Sequence, residues 1–203
     1  KRILSFNIVS HIGFMMMGLG FFTAAGLAAA VFYTVHHIVA KTSMFLTSGL
    51  IEHVGGSGRL SRLGGMVRTA PVVAVLFLVP ALSLSGVPPL SGFVGKLGLV
   101  RAGVDAGSYA IVGVATVVSL LSMYSMMKIW TGAFWSAAEE RPEGVPHAVG
   151  RLGGPVLMIV PTALLALAGV VLGVFAAPLW ELSERAAADL LQPSGYIDQV
   201  LQP

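Results

Sequence analysis

Lys41 and Lys96, with His11, His36, His37 and Tyr33, interrupt stretches of sequence that are otherwise apolar, and all of these groups bind and release protons. Lys41 closes the segment YTVHHIVAK, 33 to 41. Traced at steps of three or four, its helical face carries Tyr33, His37, Lys41, Phe45, Ser48 and Glu52. From Tyr33 to Glu52 a helix rises about 28 Å, so one face can carry polar groups nearly across a bilayer. That is the geometry of a proton wire with Lys41 near its middle. An ionisable side chain in a spanning segment costs about 2.5–3.5 kcal/mol on insertion scales, which makes function the default reading. The alternative is a lysine that snorkels to an interface, and the central position of Lys41 works against it.

Lys96 follows Ser85-Gly86-Val87-Pro88-Pro89-Leu90-Ser91-Gly92. Pro88 and Pro89 remove backbone donors, Gly86 and Gly92 allow non-helical torsions, and a helix is expected to break here. Lys96 then sits one turn into the half-helix that resumes. Its ammonium is expected beside the unpaired N–H groups at the positive end of that half-helix, where burial and dipole both disfavour the charged form. The alternative is a lysine reaching the headgroups alongside Arg101. His11 shares a face with Asn7, next to Ser10, and reads equally as a relay or as a structural hydrogen-bonding group. His36, one position off the Lys41 face, reads as a packing residue or as a support for the groups on that face. Ser119, Ser122 and Ser125 recur at i+3 with Tyr124 and Lys128, a pattern more common in helix contacts than in hydrated paths. The nine methionines read as packing. No carboxylate or thiol accompanies the membrane histidines, so acyl transfer and metal hydrolysis lack support, and no cofactor or metal is expected.

The elements that must position these groups follow from composition. Of 203 residues 56% are apolar and 10% charged, which excludes an ordinary cytosolic enzyme. The absence of cysteine excludes disulfides and thiolate-held clusters, and a net charge of +3 without a basic run excludes a nucleic-acid surface. Spanning segments are expected at roughly 3–22, 25–51, 69–103, 107–135 and 153–178. The third is too long for one straight crossing and holds the break, which should face the bundle interior. The fold class is therefore an all-α polytopic membrane bundle of about five spans, one of them discontinuous. Residues 1–178 form the bundle. Residues 179–203 alternate Trp180, Leu182, Ala186 and Leu190 with Glu181, Glu184, Arg185 and Asp189, an amphipathic surface tail. Polar loops are expected at 52–68 and 136–152. Lys1, Arg2, Arg59, Arg62, Arg68, Arg141 and Arg151 fall on one side and Arg101 and Arg185 on the other, which places the Lys1 side in the cytoplasm and the C-terminus outside. A start at Lys1-Arg2 with no initiator methionine reads like the middle of a longer polypeptide.

Four segments, KRILSFNIVSHIGFMMMGLG (1 to 20), YTVHHIVAKTSMFL (33 to 46), SGVPPLSGFVGKLGL (85 to 99) and SMYSMMKIWTGAFW (122 to 135), together resemble the antiporter-like subunits shared by Mrp-type sodium/proton antiporters and respiratory complex I. The last two look most like the Mrp branch. The resemblance covers about residues 1 to 135 in order. It implies a subunit of roughly fourteen helices built as two inverted repeats, with this chain as its C-terminal part. It also implies that His37, Lys41 and Lys96 form one half of a hydrated proton path, and that His11 occupies a position held by histidine or glutamine. Some complex I relatives carry a second histidine where this sequence has Tyr33. Other subunits, the lipid bilayer of a bacterial cell and protons are the implied partners.

Three functions compete. The first is a subunit of a multisubunit cation/proton antiporter. The second is a proton-pumping subunit of a complex I or hydrogenase-type redox complex. The third is a redox subunit with His11 and either His36 or His37 as axial haem ligands. A passive assembly role is the blander alternative. All nine acids lie in loops, at helix ends or in the tail, and a protonated lysine 6 Å away repels Na⁺ by about 3 kcal/mol at an effective dielectric of about 20, so sodium is expected to bind elsewhere in the complex.

Overall fold

A computed structural model of the chain describes residues 1–137 and 155–192, together with positions 194, 197 and 200. The expected loop at 136–152 and the end of the tail therefore lie mostly outside the described residues. Those residues form helices α1 (Arg2–Phe21), α2 (Ala24–Gly55), α3 (Met66–Thr69), α4 (Pro71–Ser85), α5 (Ser91–Asp105), α6 (Tyr109–Trp130), α7 (Val156–Val174) and α8 (Ala176–Leu191). A 3₁₀ turn at Leu60–Arg62 precedes α3, and a π turn at Thr131–Trp135 extends α6. Among the described residues four helices are long and apolar enough to cross a membrane, and Pro71–Ser85 is a shorter apolar one. The expected spans at 3–22, 25–51, 107–135 and 153–178 each correspond to one of these helices, and the span at 69–103 divides into α4 and α5.

α2 is the axis of the bundle. At 32 residues it is about 48 Å long, and it packs against α1, α4, α5, α7 and α8. The turn between α1 and α2 is tight because Gly18 and Gly26 meet backbone to backbone; a Cβ on Gly18 would lie 2.6 Å from the Gly26 carbonyl. Thr23 caps α2, its Oγ1 accepting the Gly26 N–H at 3.1 Å. Leu50, Ile51, Val73, Phe77 and Phe134 fill a large apolar core around α4. The outer faces of α1, α6 and α7 expose Val9, Met16, Leu120, Leu157 and Leu164, the pattern of helices surrounded by lipid or by further apolar helices.

The break lies between α4 and α5, and these half-helices pack against α2, α6 and α7. Gly86 ends α4 at φ 87°, a left-handed conformation that glycine adopts without steric cost. Gly92 is helical, contrary to the expectation of a non-helical torsion. A Cβ there would overlap the Ser83 carbonyl oxygen, so the glycine permits close approach of the two half-helices. Ser85 and Ser91 are buried as expected, but Pro88 and Pro89 are exposed, because a proline has no N–H to satisfy and can face outward at little cost.

The amphipathic helix starts at Ala176, three residues before the expected tail. It continues from α7 after a bend at Phe175 and packs along the first half of α2, burying Ala187 with Leu27 and Ala28. It lies on the surface of the bundle, with Ser183 and Ala187 buried and most of its other residues exposed. Trp180 packs against Phe32 with ring centroids 5.5 Å apart and planes tilted by 53°, and its indole N–H donates to Glu184 at 2.8 Å.

Candidate functional site

Tyr33, His37 and Lys41 of α2 face α1. Lys41 is 5% exposed, so it does not snorkel; its Nζ donates to Asn7 Oδ1 at 2.8 Å and to the Leu4 carbonyl at 3.3 Å. An ammonium has no lone pair, so Asn7 must turn its oxygen toward Lys41. The same oxygen lies 2.8 Å from His11 Nε2 and can only accept, which puts the proton of neutral His11 on Nε2. His11 Nδ1 is then an acceptor for the Tyr33 hydroxyl at 2.6 Å. Lys41, Asn7, His11 and Tyr33 thus form one hydrogen-bonded limb whose amide orientation and tautomer are set from the lysine end. His37 lies beside it, its ring centroid 5.1 Å from that of His11, and its Nε2 is buried with no hydrogen-bond partner among the described residues.

A second limb surrounds Lys96, which is 7% exposed. Its side chain reaches back across the break, as α5 side chains pointing toward their own N-terminus must. Nζ donates to the carbonyls of Leu84 at 2.9 Å and Ser85 at 3.2 Å, and to Ser119 Oγ at 2.8 Å. Three donors meet three acceptors. The ammonium therefore sits at the carbonyl end of α4, not beside the N–H end of α5 as the spacing suggested, and that end of a helix dipole attracts a cation. The alternative of a lysine extended to the headgroups is excluded for the same reason. Phe14 lies over the ammonium, 5.2 Å from Nζ to ring centroid, and packs on Tyr33 at 5.5 Å.

His36 is 1% exposed and belongs to the interior. Its Nδ1 lies 2.9 Å from Ser91 Oγ, at the first residue of α5. Ser91 donates to the Gly169 carbonyl of α7 at 3.2 Å and sits 3.2 Å from Ser83 Oγ. With the Ser91 proton directed to Gly169, His36 donates from Nδ1 and leaves Nε2 as a bare acceptor, with no hydrogen-bond partner among the described residues. His36 is thus both packed in the interior and a supporting group: it joins α2 to the break and, through Ser91, to α7.

Of the remaining expected residues, Ser48 is buried with its hydroxyl unpartnered among the described residues, while Glu52 is exposed and forms an ion pair with Lys1. Both line a cleft of about 450 Å³ with Lys1, Arg2, Arg59 and Lys128. Leu4, whose carbonyl accepts from Lys41, lies in its wall, so the cleft leads from charged groups at one end of the bundle toward the first limb. The stripe from Tyr33 to Glu52 therefore divides into an enclosed hydrogen-bonded part and an open mouth. Asn7 is visible in the sequence only as a neighbour of His11, and Ser119 and Ser122 only as a helix stripe; nothing in the sequence pairs them with Lys41 and Lys96. Both nitrogens of His11 are engaged, which leaves none to ligate a haem iron.

Residues 1–122 match the family described as NADH:quinone oxidoreductase/Mrp antiporter, TM. A Na(+)/H(+) antiporter subunit of Alkalihalophilus pseudofirmus is 41% identical over 202 residues, which is 100% of this chain and 40% of that protein. Among solved structures, the Mrp complex from Dietzia sp. contains a chain with TM-score 0.86 and 37% identity, covering 98% of this chain and 44% of that one. Respiratory complex I from Thermus thermophilus gives 0.71 and 26%, covering 93% and 39%. The chain thus spans about 40% of the length of the curated relative.

Proposed function

Because the chain belongs to the NADH:quinone oxidoreductase/Mrp antiporter transmembrane family, we propose that it supplies one stretch of the proton path in a membrane subunit of a multisubunit cation/proton antiporter. The observation that carries this reading is the pair of buried lysines, each held in a polar limb, with Lys96 seated on the carbonyl end of a broken helix. Protons move between solvent and Lys41 through the cleft that holds Ser48 and Glu52, and His37, His11 and Tyr33 relay beside it. The partners are the other subunits of the complex. The Lys1 end faces the cytoplasm and α8 the outside, a reading supported by the positive groups around the cleft. Residues 1–178 act as the translocating bundle and the segment from 179 as its outer brace.

The chain is a transporter segment and not itself a redox centre. A redox-driven complex is the second reading, supported by the likeness to complex I, while the higher identity to an antiporter protein supports the first. The test is Lys96→Ala in the full-length subunit of the assembled complex, with sodium/proton exchange measured in everted vesicles. Loss of exchange with normal assembly is expected, since a small neutral residue is cheaper in the membrane than lysine. Unchanged exchange would overturn the proposal.

A further inference from the structure

Among the described residues no hydrogen bond joins the Lys96 limb to the Lys41 limb. The direct gap between them is occupied by Phe14, which contacts the Lys96 ammonium on one side and packs on Tyr33 and His11 on the other, with ring centroids 5.5 and 6.5 Å away. An aromatic ring has no exchangeable proton, so this route is closed while the ring stays in place. A second route runs along α6. Ser119 Oγ accepts from Lys96 at 2.8 Å, and Ser122 Oγ, which is buried, accepts from Asn7 Nδ2 at 3.5 Å. Asn7 is the residue whose oxygen holds Lys41 and His11. The two serines are three positions apart on one helix, about 5–6 Å between Cβ atoms, a span that one water bridges with two ordinary hydrogen bonds. A groove of about 480 Å³, lined by Asn7, Ser10, Ser122 and Ser125 together with Phe6, Val118 and Leu121, reaches the Ser122 end of this gap.

We propose that protons cross between the two lysine limbs by way of Ser119 and Ser122 on α6. A hydroxyl donates and accepts at once, so each serine receives one proton and gives up its own. In one transfer the Lys96 ammonium becomes an amine and a Lys41 amine becomes an ammonium, with water between the hydroxyls and beside Asn7 completing the chain. No other reactant is needed. This step rests on the proton-path reading above and names the link that reading leaves open.

The test uses the full-length subunit in its assembled complex, with sodium/proton exchange in everted vesicles normalised to assembled complex. Ser119→Ala and Ser122→Ala should each slow exchange by about tenfold or more, and the corresponding Ser→Thr changes should restore it. Links in series do not multiply, so the double Ala variant should be no slower than the slower single. Thr116→Ala, one turn away with its hydroxyl bonded to the Val112 carbonyl, should match the parent. Exchange at parental rate in both serine variants, or losses that multiply in the double, overturns the serine route. If Ser119→Ala fails to assemble, Ser122→Ala carries the test, because the ammonium of Lys96 is held by Leu84, Ser85 and Ser119 and not by Ser122. Lys96→Ala is run in parallel: its inactivity beside normal serine variants sinks only the route, whereas its normal activity sinks the path itself.

Discussion

Lys41 and Lys96 are both buried lysines, but different groups hold them. Lys96 has all three ammonium protons on carbonyl or hydroxyl oxygen, a receptor shaped for a compact cation. A guanidinium keeps its proton at any physiological pH and spreads its donors over a plane, so Lys96→Arg should abolish exchange while the complex still assembles. Exchange near the parental rate, measured in vesicles, would mean that Lys96 acts only by its charge. His36 and His37 are adjacent in sequence yet separate in role. His36→Ala removes the tie between α2 and Ser91 and leaves a buried hydroxyl short of a partner, so it should lower the melting temperature of the purified complex as well as exchange. His37→Ala should lower exchange with little change in melting temperature. The same thermal shift in both variants would remove the distinction.

At the scale of elements, the broken helix depends on how closely α4 and α5 approach. Gly92→Ala places a methyl group against the Ser83 backbone carbonyl, which cannot move without displacing the end of α4 that holds Lys96. Overpacking of this kind costs about 1–3 kcal/mol, so the variant should assemble poorly or melt lower. Gly13→Ala, where a Cβ meets nothing within 4 Å, is the matched control and should behave as the parent. Equal stability of the two variants, read by thermal denaturation in detergent, would show that the half-helices are not in close contact in the complex.

For the whole molecule, the outer faces of α1, α6 and α7 carry apolar side chains, and the groove beside Asn7 opens between α1 and α6. Residues 1–203 reconstituted alone in liposomes should show no proton flux above that of empty liposomes, because the limbs need neighbouring helices to enclose a path. Measurable ΔpH decay would contradict this. The acids that are described, Glu52, Asp105, Glu181, Glu184 and Asp189, are all exposed, and Glu52 is paired with Lys1 at the bundle end. Glu139, Glu140, Glu143 and Asp198 lie outside the described residues. Glu52→Gln should leave the apparent Na⁺ affinity of the assembled antiporter within about twofold of the parent, since among the described residues no carboxylate accompanies the buried lysines. A large loss of affinity would place a sodium site at the cleft.

The spans, the break and the two lysines could be read from sequence because each rests on local chemistry: long uncharged runs, Gly and Pro that end a helix, and ionisable residues too costly to sit in lipid without purpose. Helical periodicity put Tyr33, His37 and Lys41 on one face, since i and i+4 neighbours meet whatever the tertiary context. Periodicity could not say which helix that face meets. The proton position on His11, the task of Asn7, the burial of His36 against Ser91 and the seat of Lys96 on Leu84 and Ser85 are contacts between helices that are distant in sequence. Only packing decided them. The Lys96 case shows the reason most plainly: its position on α5 suggested the N–H end of one half-helix, yet a flexible four-carbon stem brought the charge to the carbonyl end of the other.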